Sequence, residues 1–253
     1  MFQLCVQWVV KRWAPRHKSL LTIAGKAATE QEKRKIKLWH VSLSSYIVST
    51  VHAVICFSLA LYTCTVEEQF KNVTKSVIGK SETVIVATLI SLGYFLYDLQ
   101  IVLHYYPHLG TYPIILHHVM YMAGGIACVL YDHAYYIIIL FNLTELSTPF
   151  TNLRYFMSET GYDVRFPVPF AINGLLMWLM FGLSRMYLCL WFFPVRVLWG
   201  QWQHLALFPT AMIIYTVVLY LGISALNLFW FYKITCGLLK VVKAFLSKPN
   251  KAA

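Results

Sequence analysis

Four side chains in this sequence could do acid–base chemistry together: Asp98, His117, His118 and Glu145. Each sits in an apolar run, in G-Y-F-L-Y-D98, I-I-L-H117-H118-V-M and F-N-L-T-E145. A carboxylate that fixes the orientation of an imidazole makes that ring a general base, or a nucleophile that carries an acyl group. Neighbouring residues on a helix differ by about 100°. One histidine can therefore face an interior cavity while the other faces an adjacent helix.

The elements that must position them are membrane spans. Of the 253 residues, 59% are hydrophobic and only 12% are charged, against about 25% charged in an ordinary soluble domain. No second globular domain fits in what remains. Six apolar segments, about 41–63, 83–106, 112–131, 134–156, 168–194 and 206–232, are long enough to cross a bilayer. The fold class expected is an all-α, polytopic bundle of six transmembrane helices. Asp132-His133 makes a tight hairpin between the third and fourth, and Pro107-His108-Leu109-Gly110 separates the second and third. Sixteen lysines and arginines fall on one side of such a bundle and four on the other, which puts both termini in the cytosol. Asn72-Val73-Thr74, a glycosylation sequon, falls in the first non-cytosolic loop, whereas Asn142-Leu143-Thr144 lies within a span.

This gives a basic cytosolic segment over 1–38, a membrane domain over 39–240 and a basic tail over 241–253. The run K33-R-K-I-K37 precedes the first span and sets topology while touching anionic headgroups. Residues 2–13 read as a short interfacial helix carrying Trp8 and Trp13, or as the remnant of a further span. They do not read as a signal peptide, because the basic residues follow the apolar run. The six cysteines form no CxxC and no disulfide framework.

Charge within a span costs about 2.5–3.5 kcal/mol at the centre, so ionisable residues there face the interior. His52 and Arg185 join the first four, with Asn142, Asn152, Asn173 and Asn227 beside them. Ser45, Ser49, His52 and Cys56 share one helix face, as do Asn142, Glu145, Pro149 and Asn152, and Asn173, Met177, Met180 and Ser184. Pro149 should kink the fourth helix beside Glu145 and free backbone carbonyls. Asp98, both adjacent histidines, Glu145 and Asn173 fall in the cytosolic half, with Arg185 deeper. The structural alternatives are plain: His52 as a hydrogen-bonded packing residue, Arg185 as an ion-pair partner, and Asn173 and Asn227 as interhelical ties. A di-iron site using His104 and His108 with the His117-His118 pair would need about eight ligands; the chain has nine histidines, three of them remote, so no metal is expected.

The runs L116-H-H-V119, F141-N-L-T-E-L-S-T-P-F-T-N-L-R-Y-F156 and N173-G-L-L-M-W, with Arg185 after them and S49-T-V-H52 and G93-Y-F-L-Y-D98 before them, resemble the TLC domain over roughly residues 39–240. The closest likeness is to the small TLC domain-containing proteins outside the ceramide synthase branch. The resemblance implies an endoplasmic-reticulum or related endomembrane protein acting on lipids. Ceramide synthases, which transfer an acyl group from acyl-CoA to a sphingoid amine, carry paired histidines corresponding to His117 and His118. They also carry a His-Asp pair and a further Asp where this chain has Phe141, Asn142 and Glu145.

Two functions compete. The first is lipid homeostasis without chemistry, binding or moving a lipid in a polar-lined cytosolic-side pocket made by His52, Asn142, Asn152, Asn173, Arg185 and Asn227. The second is acyl-CoA-dependent N-acylation, with His117 or His118 as base or acyl carrier and Asp98 or Glu145 orienting the ring. Acyl-CoA would be the co-substrate there; no other cofactor is expected. A proton-coupled transporter finds no matching pair of broken helices. Expected partners are membrane lipids, a homo-oligomer is admitted, and nucleic acid is not.

Overall fold

A cluster of charges can sit inside apolar helices only if those helices enclose it. In a computed structural model describing residues 29–71 and 76–246, every regular element is helical. Helix α1 (Glu30–Val66) starts with a capping box: the Thr29 hydroxyl accepts from the Glu32 amide, and the Glu32 carboxylate accepts from the Thr29 amide. That box starts the helix earlier than hydropathy alone suggests. K33-R-K-I-K37 is thus the opening of α1, not a segment before it. Helix α2 (Glu82–His104) is capped by the Ser81 hydroxyl, and α3 (Tyr112–Tyr131) has Pro113 in its first turn.

The expected fourth span is not one regular helix. It is divided into α4 (Tyr135–Leu143), a 3₁₀ turn (Thr144–Ser147) and α5 (Thr148–Thr160), with Pro149 opening the last piece. Gly161, at φ 78°, closes α5. Helix α6 (Pro167–Phe181) runs on into an 18-residue π-wound stretch, Gly182–Trp199, and α7 (Thr210–Leu246) completes the chain. Five helical stretches are long and apolar enough to cross a membrane: α1, α2, α3, α6 with its π continuation, and α7. The chain is a polytopic membrane protein. The fourth expected span is missing from that set because the 3₁₀ turn divides it into pieces of 9, 4 and 13 residues.

The packing explains the division. α1 packs on α2, α4 and α5, α2 on α3, α3 on α7, and α7 on α6, while α6 returns to α5. Helix α4 touches α1, α2 and α3, and Tyr135 to Leu140 are all buried. A helix apolar on every side belongs inside, not on the bilayer surface. The hairpin leading into it uses left-handed backbone at Asp132 and Ala134, with φ of 55° and 62°.

Polar ties close that end of the bundle. The buried Gln201 side chain donates to the Ser76 hydroxyl at 3.1 Å and accepts from the Val77 amide at 2.8 Å. Lys80 lies 2.5 Å from the Asp132 carboxylate, in the hairpin. The Lys80 hydrogen bond, with one from the Tyr135 hydroxyl, holds the Asp132 carboxyl below its ordinary value. A lowered folded value means the pair persists at neutral pH and is lost as pH falls through that value. At the other end, Trp39 Nε1 donates to the Glu159 carbonyl at 3.1 Å, fixing α1 to α5. The interfacial segment 2–13, the Asn72 sequon and the lysines beyond residue 246 lie outside the described residues.

Gln201→Ala leaves the buried Val77 amide and Ser76 hydroxyl without that partner. It should cost about 1–3 kcal/mol and lower the thermal unfolding midpoint of the detergent-purified chain. An unchanged midpoint would show that the loop is held by other contacts.

Candidate functional site

Helices α2 and α3 run antiparallel through a short connection, so residues about two turns from it on each helix meet at one level. There the His118 Nε2 lies 2.9 Å from Asp98 Oδ2, with both residues buried. The Ser45 hydroxyl of α1 donates to the other Asp98 oxygen at 3.0 Å. His118 Nδ1 lies 2.7 Å from the Ile114 carbonyl one turn back. A carbonyl only accepts, so Nδ1 carries a proton. The Nε2 contact then holds one further proton, shared between ring and carboxylate. Both ring nitrogens of His118 are engaged, and neither is free to take a proton from a substrate.

The second ionic pair is built on the 3₁₀ turn. Glu145 Oε1 lies 3.5 Å from Arg185 at the start of the π-wound stretch. The guanidinium also donates to Ser147 at 3.0 Å, Thr148 at 3.4 Å and Asn227 at 3.3 Å, and Thr148 donates to the second Glu145 oxygen at 2.8 Å. The turn leaves the Thr144 carbonyl to accept from Ser147 and Ser184. Pro149 therefore does what its position suggests: the α-helical pattern stops beside Glu145 and carbonyls become available to side chains.

Between the two pairs lies His52. It is within electrostatic range of Glu145, Asp98 and His118 and stacks on Tyr94 at 3.8 Å between ring centres. Only 5% exposed, it has no hydrogen-bond partner on either ring nitrogen. The Asn142 oxygen accepts from Tyr121 at 2.5 Å and Ser91 at 3.2 Å, while its buried Nδ2 has no partner. His117 packs edge-on to Phe95, His118 and Trp230 of α7, and its Nδ1 is likewise unpartnered. The adjacent histidines point to different helices, His118 to α2 and His117 to α7, and neither lines the cleft described below.

A cleft with about 490 Å³ of empty space, part of it open to the surroundings, lies between α3, α4 and α7. Met120, Tyr121, Gly124, Ile138, Phe141 and Leu219 are among its walls. It is apolar, and none of the ten polar residues singled out from the sequence lines it. Tyr121 joins it to the polar core, because its ring faces the cleft, its hydroxyl bonds Asn142 and it stacks on Phe95 at 4.0 Å.

Four of the expected site residues thus occupy two separate ionic groups, Asp98 with His118 and Glu145 with Arg185. Glu145 does not orient a histidine; the guanidinium claims it. An apolar cleft lies beside this polar core. Asn152 donates to the Tyr46 carbonyl and the Thr50 hydroxyl on α1, and Asn173 to the Phe150 carbonyl, so both tie helices together. Asn227 holds Arg185 and donates to Cys189 Sγ at 3.3 Å. The sequence reading missed Ser91, Tyr94 and Tyr121. Ser91 and Phe95 precede Asp98 at helical spacing on one face, and Tyr121 follows His118 by three residues, so the signal was present. No group of three or more histidine, cysteine, aspartate or glutamate side chains able to hold a metal ion occurs among the described residues.

Comparison with known proteins agrees with this architecture. Residues 42–236 match the family model described as TLC domain. The chain is 30% identical over 218 residues to the TLC domain-containing protein 4 of Xenopus tropicalis, covering 81% of this chain and 77% of that one. It is 26% identical over 209 residues to TLC domain-containing protein 4 A of Dictyostelium discoideum, covering 79% and 75%. It is 27% identical over 233 residues to the TLC domain-containing protein 4 of Homo sapiens, covering 87% and 80%. No solved structure matches.

Removing one member of a buried ion pair leaves its partner uncompensated, at about 3–5 kcal/mol. Arg185→Met should sharply lower the unfolding midpoint of the purified chain. Adding Glu145→Gln should recover much of the loss. Equal destabilisation by the single and double variants would show that the pair itself does not hold the 3₁₀ turn in place.

Proposed function

The chain belongs to the TLC domain family, and on that premise we propose that it handles a membrane lipid, holding the hydrocarbon chain in the cleft between α3, α4 and α7 with the polar part toward the ionic core. One observation carries this reading: the apolar cleft meets the polar core through a single side chain, Tyr121. An amphiphile needs that juxtaposition. The walls of the cleft come from helices whose outer faces are apolar, so the occupant arrives from the bilayer.

The topology that goes with this reading has six crossings, with α4, the 3₁₀ turn and α5 together making the fourth. The excess of lysine and arginine then places both termini in the cytosol. We assign the protein to an endomembrane, most simply the endoplasmic reticulum, with lipid homeostasis as its role. The membrane domain spans about 39–240 between a basic N-terminal segment and a basic tail. Its relatives are TLC domain-containing protein 4, not ceramide synthases, and the chain has Phe141 and Asn142 where ceramide synthases carry His-Asp.

A second reading has one observation in its favour. His117 keeps an unpartnered Nδ1 beside the Asp98–His118 pair. In an N-acyltransferase that nitrogen would take the proton from an attacking amine as the N–C bond forms. The C–S bond of acyl-CoA would break, and the proton would pass to the departing thiolate.

The test uses the full chain purified in mild detergent, with bound lipids extracted and identified by mass spectrometry. A distinct lipid should co-purify with the native chain. Gly124→Leu should displace it: Gly124 lines the cleft and a Cβ there meets Leu219 at 3.4 Å and Ile138 at 3.7 Å, so a larger side chain takes up the space between them. Retention of the lipid in Gly124→Leu would overturn the cleft assignment. Labelled acyl-CoA supplied with a panel of amines should give no N-acyl product; a product lost in His117→Ala would establish the second reading instead.

A further inference from the structure

Two glycines stand where α3 and α7 meet, and their surroundings differ. A Cβ on Gly124 would touch Leu219 at 3.4 Å, an ordinary contact. A Cβ on Gly222 would lie 2.2 Å from the terminal methyl of Met120 and 3.1 Å from its sulfur. Carbon atoms in contact settle at about 3.5–4.0 Å, so Met120 occupies the place that a side chain at Gly222 would take. The backbone of Gly222 is ordinary helix within α7 and gives no conformational reason for glycine, which is a poor helix former. The bare surface has a packing use instead: it seats Met120.

Met120 also lines the cleft, and Gly222 does not. On α7 the cleft residues Leu219 and Ile223 flank Gly222. On α3 Met120 is the first residue to line the cleft. His117, one turn before it, lies outside with its ring against Trp230 of α7, 5.5 Å between centres. Met120, Phe141 and Ile223 thus form the inner end of the cleft, away from the α3–α4 hairpin. Methionine is unbranched and adapts its shape easily. A side chain added at Gly222 therefore moves the thioether rather than the helices.

We propose that Met120 sets how bulky an occupant the cleft takes, and that the absence of a side chain at Gly222 keeps Met120 out of the occupant's way. Seated on α7, the thioether leaves the inner end open beside Tyr121 and Phe141. Displaced from α7, it has the cleft as the empty space beside it and fills that end. The inference rests on the reading that the cleft holds the hydrocarbon chain of a lipid, and it names the residue that limits the size of what enters.

The probe is photoreactive palmitic acid, a single-chain amphiphile, given to the full chain in mild detergent. Cross-links to α3, α4 and α7 are read by peptide mass spectrometry. Gly222→Ala should cut labelling about tenfold, the size expected when a site is overpacked. Met120→Ala with Gly222→Ala should restore it, because the added methyl then meets no thioether. The unfolding midpoint of Gly222→Ala should stay at or above the native one, since alanine strengthens a helix. Undiminished labelling of Gly222→Ala overturns the inference, and so does a double variant that labels as weakly as Gly222→Ala. A midpoint that falls together with labelling also overturns it, because the pair then joins the helices and does not shape the cleft. All three results leave the lipid reading standing. Labelling that is the same in the native chain and in Gly124→Leu overturns the cleft reading itself.

Discussion

Everything in the interior of this bundle follows from the cost of placing charge where no water can reach it. Glu145 and Arg185 each would be prohibitive alone, and together they are tolerable because the guanidinium also satisfies Ser147, Thr148 and Asn227. Those contacts draw on the 3₁₀ turn, the π-wound stretch and α7 at once. One ionic group therefore fixes the register of three elements. The Asp98–His118 pair does the same for α2 and α3, with Ser45 adding α1.

Helix α4 is the element that most depends on this arrangement. It is short, apolar on every side and enclosed by α1, α2 and α3. Pro149 ends the α-helical pattern just beyond it, and the Thr144 carbonyl in the break finds side-chain donors in Ser147 and Ser184. An irregular backbone at this depth is tolerated because it is buried in protein rather than facing lipid. The interruption delivers Glu145 to Arg185 and places Asn142 beside Ser91 and Tyr121.

The structural consequence is a separation of two surfaces. The ionic core consumes its own charges, and His118 spends both ring nitrogens on Asp98 and Ile114. That leaves little for the acid–base chemistry which four convergent ionisable residues first suggest. The apolar cleft offers space without chemistry. Tyr121 stands at their boundary, and the lipid proposed as occupant, with a hydrocarbon chain and a polar head, would use both.

The sequence by itself determined the class of molecule. Apolar runs about 20 residues long have few other uses, so five of the six expected spans appear as long helices. The intramembrane ionisable residues were equally legible, because their cost forces them inward whatever the fold. Pro149 announced the break beside Glu145 for a local steric reason. Only the tertiary structure decided which charges meet. Asp98 and Glu145 looked equivalent as partners for the histidine pair; distance gave one to His118 and the other to Arg185. It also opened a cleft lined by Met120, Leu219 and Ile138, apart from the polar residues. A stripe of polar residues on one helix says which way it faces, but pairing and empty volume depend on the depth and rotation of several helices together, which no single segment encodes.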